Sequence, residues 1–200
     1  MNKKHVLQFK VTLINVKPAI WRRIQIDNDS SFWDFHVAIQ NAMGWTDSHL
    51  HEFSIINPFT KKKDRIGIPD DEYISDCTPL ADWEHKVSDY LKLKQNKRFN
   101  YTYDFGDDWE HLIEFEGELE KQKIKYPACT GGARACPPED IGGVYGYENF
   151  LQAIKDPNHE DHESYLEWIN IDFDPEFFDH KKVKFDNPKE RLDFAFGDDE

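Results

Sequence analysis

The stretch "RFNYTYDFGDDWEHLIEFEGEL", residues 98–119, limits the fold of this chain more than any other. Phe99, Tyr101, Tyr103 and Phe105 fall on alternate positions, and Trp109, His111, Ile113 and Phe115 do the same beyond "GDD". Successive side chains of a strand point to opposite faces, so each run has one apolar face to hide. Two such runs around a Gly-Asp turn predict an antiparallel hairpin. The N-terminus repeats the pattern. Leu7, Phe9, Val11 and Leu13 alternate in "VLQFKVTLI", "NVKP" turns the chain, and Ile20, Ile24 and Ile26 share a face in "AIWRRIQI". Half-buried hairpins need a layer to cover them, which predicts an α+β fold: an antiparallel sheet packed with helices.

The first helix reads from "SSFWDFHVAIQNAMG". Ser30 or Ser31 caps it, Asp34 sits in the first turn, Phe32, Phe35, His36, Ile39 and Met43 recur at helical spacing, and Gly44 ends it. "HLHEFSII" (49–56) follows as a strand, so the order strand, strand, helix, strand resembles the start of a β-grasp fold. Residues 57–80 read as a loop with "KKK" as a solvated turn, and 80–93 as a short amphipathic helix. After a loop over 126–146, helical patterns return at 147–156 and 159–169. Asp174-Pro175 and Asn187-Pro188 each read as a helix cap followed by proline. The length predicts one domain over 1–200, with a core at about 5–180, C-terminal helices, and an acidic tail over 181–200.

Charge narrows the partners. With 25 basic against 39 acidic residues the net charge is −14. Nonspecific nucleic-acid affinity comes from clustered Lys and Arg releasing counterions, so this balance disfavours DNA and RNA and favours a protein, cationic or small-molecule ligand. No apolar run approaches the ~20 residues of a membrane span, and the N-terminus lacks the apolar core of a signal peptide. Three cysteines, an odd number, suit a reducing compartment. A cytoplasmic location is expected.

Three stretches carry candidate chemistry. In "SHLHEF", His49 and His51 are two apart and would share a strand face, a start for a divalent-metal site. The candidate ligands are His49, His51, Asp107 and His111, with Asp104 and Asp108 in the same hairpin. The competing reading is a polar strand end, with the aspartates capping their own turn. In "WRR", alternation buries Arg22 beside Arg23, and a buried guanidinium predicts a carboxylate partner in the hairpin turn or at Asp34, the alternative being an exposed anion site. In "CTGGARACPPEDIGG" (129–143), Cys129 and Cys136 stand too far apart for the C-x₂₋₄-C pair of a zinc knuckle, and no base accompanies either thiol. That stretch reads as a rigid loop presenting Arg134, Glu139 and Asp140 to a cleft, where Trp45, Tyr103 and Trp109 supply aromatic surface. His159 and His162 read as part of a charged helix face. There is no phosphate-binding glycine loop, nucleophile elbow or HExxH helix.

The stretches "KPAIWRR", "FWDFHVAIQNAMGW", "SHLHEF", "YTYDFGDDWEH", "YPACTGGARACPPEDIGGVYGYENFLQAI", "HEDHESYLEWI" and "DFDPEFFD" together resemble the plasmid pRiA ORF-three-like family, over roughly residues 5–180. The lysine-rich loop near 60–66 and the tail after about 185 lie outside the resemblance. It implies a compact α+β domain and no established activity. Some members carry mobile-element or resolvase-like labels, but no recombinase serine or tyrosine constellation is recognisable here.

Three readings of function follow. The first is a noncatalytic binding or interaction module associated with plasmids or mobile elements, whose aromatic and acidic cleft takes a cationic, peptide or small-molecule partner. The second is a divalent-metal-dependent hydrolase or nuclease built on the His/Asp cluster. The third is a nucleic-acid accessory protein. No cofactor is established by the sequence, and a divalent metal is the one it can accommodate.

Overall fold

The computed structural model describes residues 5–69, 78–169 and 173–196. Eight strands form one sheet: β1 (His5–Leu13), β2 (Trp21–Asp27), β3 (His51–Ile56), β4 (Lys63–Gly67), β5 (Leu80–Ala81), β6 (Arg98–Tyr103), β7 (Trp109–Glu120) and β8 (Ala128–Ala133). Their order is β5-β4-β3-β6-β7-β1-β2-β8, antiparallel throughout except for β4 beside β5. The fold is α+β. The β-grasp-like start holds in chain order only, because β6 and β7 separate β3 from β1.

Both predicted hairpins form. β6 pairs with β7 in register from Tyr103↔Trp109 to Arg98↔Glu114, with the Asp104–Asp108 turn between them. β1 pairs with β2 from Val6↔Asp27 to Thr12↔Trp21, and also with β7, where the register slips around Glu116. That extra residue lets Glu116 accept from Arg23 Nε (2.7 Å) and Nη2 (2.9 Å) and from Gln8 Nε2 (2.8 Å).

Helix α1 (Phe32–Met43) covers one face of the sheet. Ser31 and Asp34 close a reciprocal cap: Ser31 Oγ accepts from Asp34 N (3.0 Å), and Asp34 Oδ2 accepts from Ser31 N (2.8 Å). Gly44 ends the helix at φ 100°, a left-handed conformation that favours glycine. Phe32, Phe35 and Ile39 meet Phe9, Ile24, Phe53 and Phe99 in one buried core. The opposite face is polar, with Gln8, Lys10, Arg23, Gln25, Glu114 and Arg98 less buried than their neighbours.

Helix α2 (Val87–Tyr90) spans four residues where a longer amphipathic helix is expected, because Leu80–Ala81 is drawn into the sheet beside β4. Lys63 opens strand β4, so only part of "KKK" lies in a turn. Helices α3 (Gly143–Lys155) and α4 (His162–Ile169) match the helical patterns of the sequence. Asn187-Pro188 starts α5 (Pro188–Phe196), whereas Asp174-Pro175 makes only a turn. Residues 197–200 of the acidic tail lie outside the described residues. Among the described residues no helix is long and apolar enough to cross a membrane.

The expected 126–146 loop contains strand β8, which pairs with β2 and shifts register between Arg23 and Ile24. Two glycines hid it from a reading based on side-chain alternation. Gly132 is required there: a Cβ would lie 2.3 Å from the Phe178 ring and 2.8 Å from the Trp21 carbonyl.

Candidate functional site

Three segments far apart in sequence converge at one end of β3, β6 and β7: the 45–50 loop, the Asp104–Asp108 turn, and the 137–143 segment ahead of α3. Trp45 Nε1 donates to Pro137 O (2.9 Å). Glu139 Oε1 accepts from Thr46 N (2.8 Å), Thr46 Oγ1 (3.1 Å) and Tyr103 OH (3.0 Å), and Tyr103 OH accepts from Ser48 N (3.0 Å). Burial, with Glu139 beside it, pushes the Tyr103 phenol well above its ordinary range, so it acts here as a neutral donor. Gly142 N donates to Asp107 Oδ2 (3.0 Å). Gly143 sits so close that a Cβ would lie 2.5 Å from Asp107 O, and its φ of 67° suits glycine.

This scaffold brings His49 to two aspartates. His49 Nε2 lies 2.9 Å from Asp140 Oδ1 and 3.7 Å from Asp104 Oδ2. Asp104 is 6% exposed; its amide donates to Leu50 O (2.9 Å), and its Oδ1 accepts from Gly106 N (2.9 Å). His49 is partly exposed and Asp140 largely exposed. Among the described residues no lysine or arginine pairs with Asp104, Asp107, Asp108, Glu139 or Asp140. Phe105 and Tyr145, within a few residues of these acids in the chain, and Leu50, whose carbonyl takes the Asp104 amide, are exposed. Phe105 belongs to the turn rather than to the buried face of β6, as its alternation suggested.

The other sequence candidates go elsewhere. His49 precedes β3 and His51 opens it, so the two histidines do not share a site. His51 is buried and its ring stacks on His36, with centroids 3.4 Å apart and planes 8° from parallel. His51 Nε2 faces buried Asp82 Oδ2 at 2.7 Å. Asp47 Oδ1 can only accept, so His36 Nε2–H donates to it (2.7 Å) and the ring's Nδ1 accepts from Tyr101 OH (2.9 Å), which itself accepts from Gln40 Nε2 (2.8 Å). Burial, helped by His51 alongside, lowers His36 from 6.5 to about 4. This inner cluster is a poor metal centre despite its ligand types. An ion binds an imidazole near the ring plane at ~2.0–2.1 Å, and one shared by both rings would sit about 1.7 Å out of each plane, half of the 3.4 Å separation.

His111 is also buried, and neither ring nitrogen makes a well-formed hydrogen bond among the described residues, although the Tyr101 and Trp109 backbones lie close enough to favour its proton. Burial lowers it to about 4. Arg22 is buried as expected, but no carboxylate meets it among the described residues. Its Nε donates to Ala42 O (2.7 Å), its Nη1 to Trp21 O (2.9 Å) and Ala133 O (3.0 Å), and its guanidinium lies 3.6 Å from the Phe178 ring centroid. Three carbonyl dipoles and an aromatic face replace the expected anion. Arg23 lies on the polar face with Glu116. Arg134 is buried against Glu176 (2.7 Å) and Pro18 O, outside the site. Trp109 is fully buried and Asp108 is exposed in its turn. Cys136 is pushed up to about 12 by burial, and Cys129 is raised for the same reason.

Sequence reasoning missed Asp47, Asp82 and Tyr101 as partners of the buried histidines. Asp82 had no signal, lying in a segment read as helix.

The model of the plasmid pRiA4b ORF-3-like protein family matches residues 5–182. An uncharacterized protein, y4hQ, of Sinorhizobium fredii (strain NBRC 101917 / NGR234) is 36% identical over 170 residues, covering 84% of each chain. The crystal structure of a protein of unknown function, MM3350, from Methanosarcina mazei Go1 superimposes with a TM-score of 0.83 at 43% identity, covering 91% of this chain and 99% of that one.

Proposed function

The chain belongs to the plasmid pRiA4b ORF-3-like family, and we propose that it is a noncatalytic binding module that takes a cationic ligand at the acidic rim around His49. One observation carries the reading. Asp104, Asp107, Asp108, Glu139 and Asp140 gather at one end of the sheet, and no lysine or arginine among the described residues neutralises them. Like charges held together repel unless a cation joins them. Exposed Leu50, Phe105 and Tyr145 add apolar surface for the remainder of a ligand. A noncatalytic role draws support from the state of the would-be nucleophiles and bases. The Cys136 thiol is partly buried and its pKa is raised, the Glu139 carboxylate is occupied by three donors, and His36, His51 and His111 are shut away from solvent.

Titration with a short peptide carrying lysines and a tyrosine, followed by calorimetry at low salt, tests this. Binding is expected to weaken as salt screens the charges, and several-fold in Asp108→Asn/Asp140→Asn, since each exposed charge contributes up to about 1 kcal/mol. Binding that ignores both salt and this substitution, together with no binding of any other cation that depends on these acids, would overturn the reading.

A further inference from the structure

We propose that His49, Asp104 and Asp140 form a three-ligand site for a first-row divalent metal ion of the Mn²⁺ or Zn²⁺ kind. The inference rests on the rim being a cation-binding surface and names the cation. It replaces the ligand set that the sequence suggested: His49 stays, His51 and His111 are in the core, Asp107 is engaged by Gly142 N, and Asp104 and Asp140 take their places.

Ligand spacing is the first argument. Bonds of about 2.1 Å put neighbouring ligand atoms about 3.0 Å apart in octahedral and about 3.4 Å apart in tetrahedral coordination. His49 Nε2 stands 2.9 Å from Asp140 Oδ1 and 3.7 Å from Asp104 Oδ2, bracketing those values. One ligand atom from each of the three residues lies within 4.8 Å of the other two.

The second argument is Asp104 itself. It is 6% exposed, and its Oδ1 already holds Gly106 N–H. Its Oδ2 accepts no hydrogen bond among the described residues and faces His49 Nε2 from 3.7 Å. The Asp104 side chain is only 9% exposed, so an ion in front of this open oxygen satisfies it where few waters can reach. The surroundings hold the three groups in place. Leu50 O takes the Asp104 amide, Asp107 takes the Gly142 amide, and Glu139, next to Asp140, is clamped by Thr46 and Tyr103. The site is therefore organised before an ion arrives.

Ligand type selects the metal class. One imidazole nitrogen with two carboxylates suits Mn²⁺ or Zn²⁺, whereas Mg²⁺ and Ca²⁺ favour all-oxygen shells. Asp140 and His49 are open to solvent, so the remaining positions fall to water or to an electron-donating group of a ligand.

The test uses the full chain, free of any affinity tag and stripped with chelator, titrated with Mn²⁺ and Zn²⁺ by calorimetry. One ion per chain is expected, with Mg²⁺ and Ca²⁺ weaker by about tenfold or more. His49→Ala and Asp140→Asn are each expected to cost about tenfold or more, while His159→Ala, in the turn between α3 and α4, leaves binding unchanged. Mn²⁺-enhanced water relaxation reports the open positions. Circular dichroism confirms that each variant is folded, and Asp140→Asn, at a largely exposed residue, keeps the test valid if another variant is not. Absence of a stoichiometric ion, or binding equal in wild type and Asp140→Asn, overturns the metal site. If metal fails while the lysine peptide binds in an Asp140-dependent way, the metal site falls and the binding module stands. If neither binds, both fall.

Discussion

Two clusters of histidine and aspartate lie near each other in this protein and do opposite things. The outer one, His49 with Asp104 and Asp140, is built on loops and opens to solvent. The inner one, His36 and His51 with Asp47 and Asp82, lies between α1 and the sheet, with its rings stacked 3.4 Å apart. The residue types are the same. What differs is where the lone pairs point and whether solvent reaches them. In the inner cluster three of the four ring nitrogens face a carboxylate or a phenol, so it works as mortar between helix and sheet. In the outer cluster one oxygen of the largely buried Asp104 faces His49 with no hydrogen-bond donor of its own. Composition alone does not separate a structural His–Asp cluster from a binding site; ring orientation and access to solvent do.

The sharpest way to break this contrast is to delete one imidazole from each cluster. His51→Ala strands Asp82 in the core and removes the stacking partner of His36, and is expected to cost ~3–5 kcal/mol. His49→Ala is expected to cost less than about 1 kcal/mol, because its aspartate contacts are half in water. Urea denaturation of both variants measures the difference, and equal losses would erase the distinction.

Acid sharpens it next. His36 and His111 sit at about 4 against an ordinary 6.5, each lowered by burial first. His51 lowers His36 further while Asp47 and Asp82 pull it up; beside His111 the Tyr101 and Trp109 backbones raise it and Arg22 lowers it. A depressed folded value means that the unfolded chain binds protons first. The stability these groups contribute is therefore full above 6.5 and lost as pH falls toward 4. Between pH 7.5 and 5.0 the loss is expected to be roughly 2 kcal/mol per histidine, read from urea midpoints. A flat profile would show that the buried rings take up protons without cost.

The smallest effect is expected at His111, whose two ring nitrogens make no well-formed hydrogen bond among the described residues. His111→Leu removes a buried polar ring without stranding another group, so it is expected to stabilise by about 1 kcal/mol at neutral pH and to shed its share of the acid loss. Destabilisation would reveal a hydrogen bond that the ring makes to interior water.

Alternation made both hairpins legible, and the cap pair Ser31 and Asp34 with Gly44 marked α1, because those signals are local. Strand β8 was not legible. Its pairing depends on Gly132 fitting under Phe178, a contact between residues distant in sequence. Arg22 was read correctly as buried and wrongly as needing an anion, since carbonyls at the end of α1 and on β8 are invisible to residue type. The rim acids were visible one at a time. That Asp104 and Asp140 would face one histidine depends on the close approach of Gly143 to Asp107, which no spacing in the chain announces.

The row from Gln40 through Tyr101 and His36 to Asp47 has a direction. It begins on an amide nitrogen that can only donate and ends on a carboxylate that can only accept, so every dipole between them lies head to tail. Such a row is polarised like a line of compass needles. Reversing one member means reversing them all, and Arg191, 3.5 Å from Asp47 Oδ2, anchors the far end from the surface. The core beneath α1 thus carries a fixed electric orientation rather than a path for moving protons.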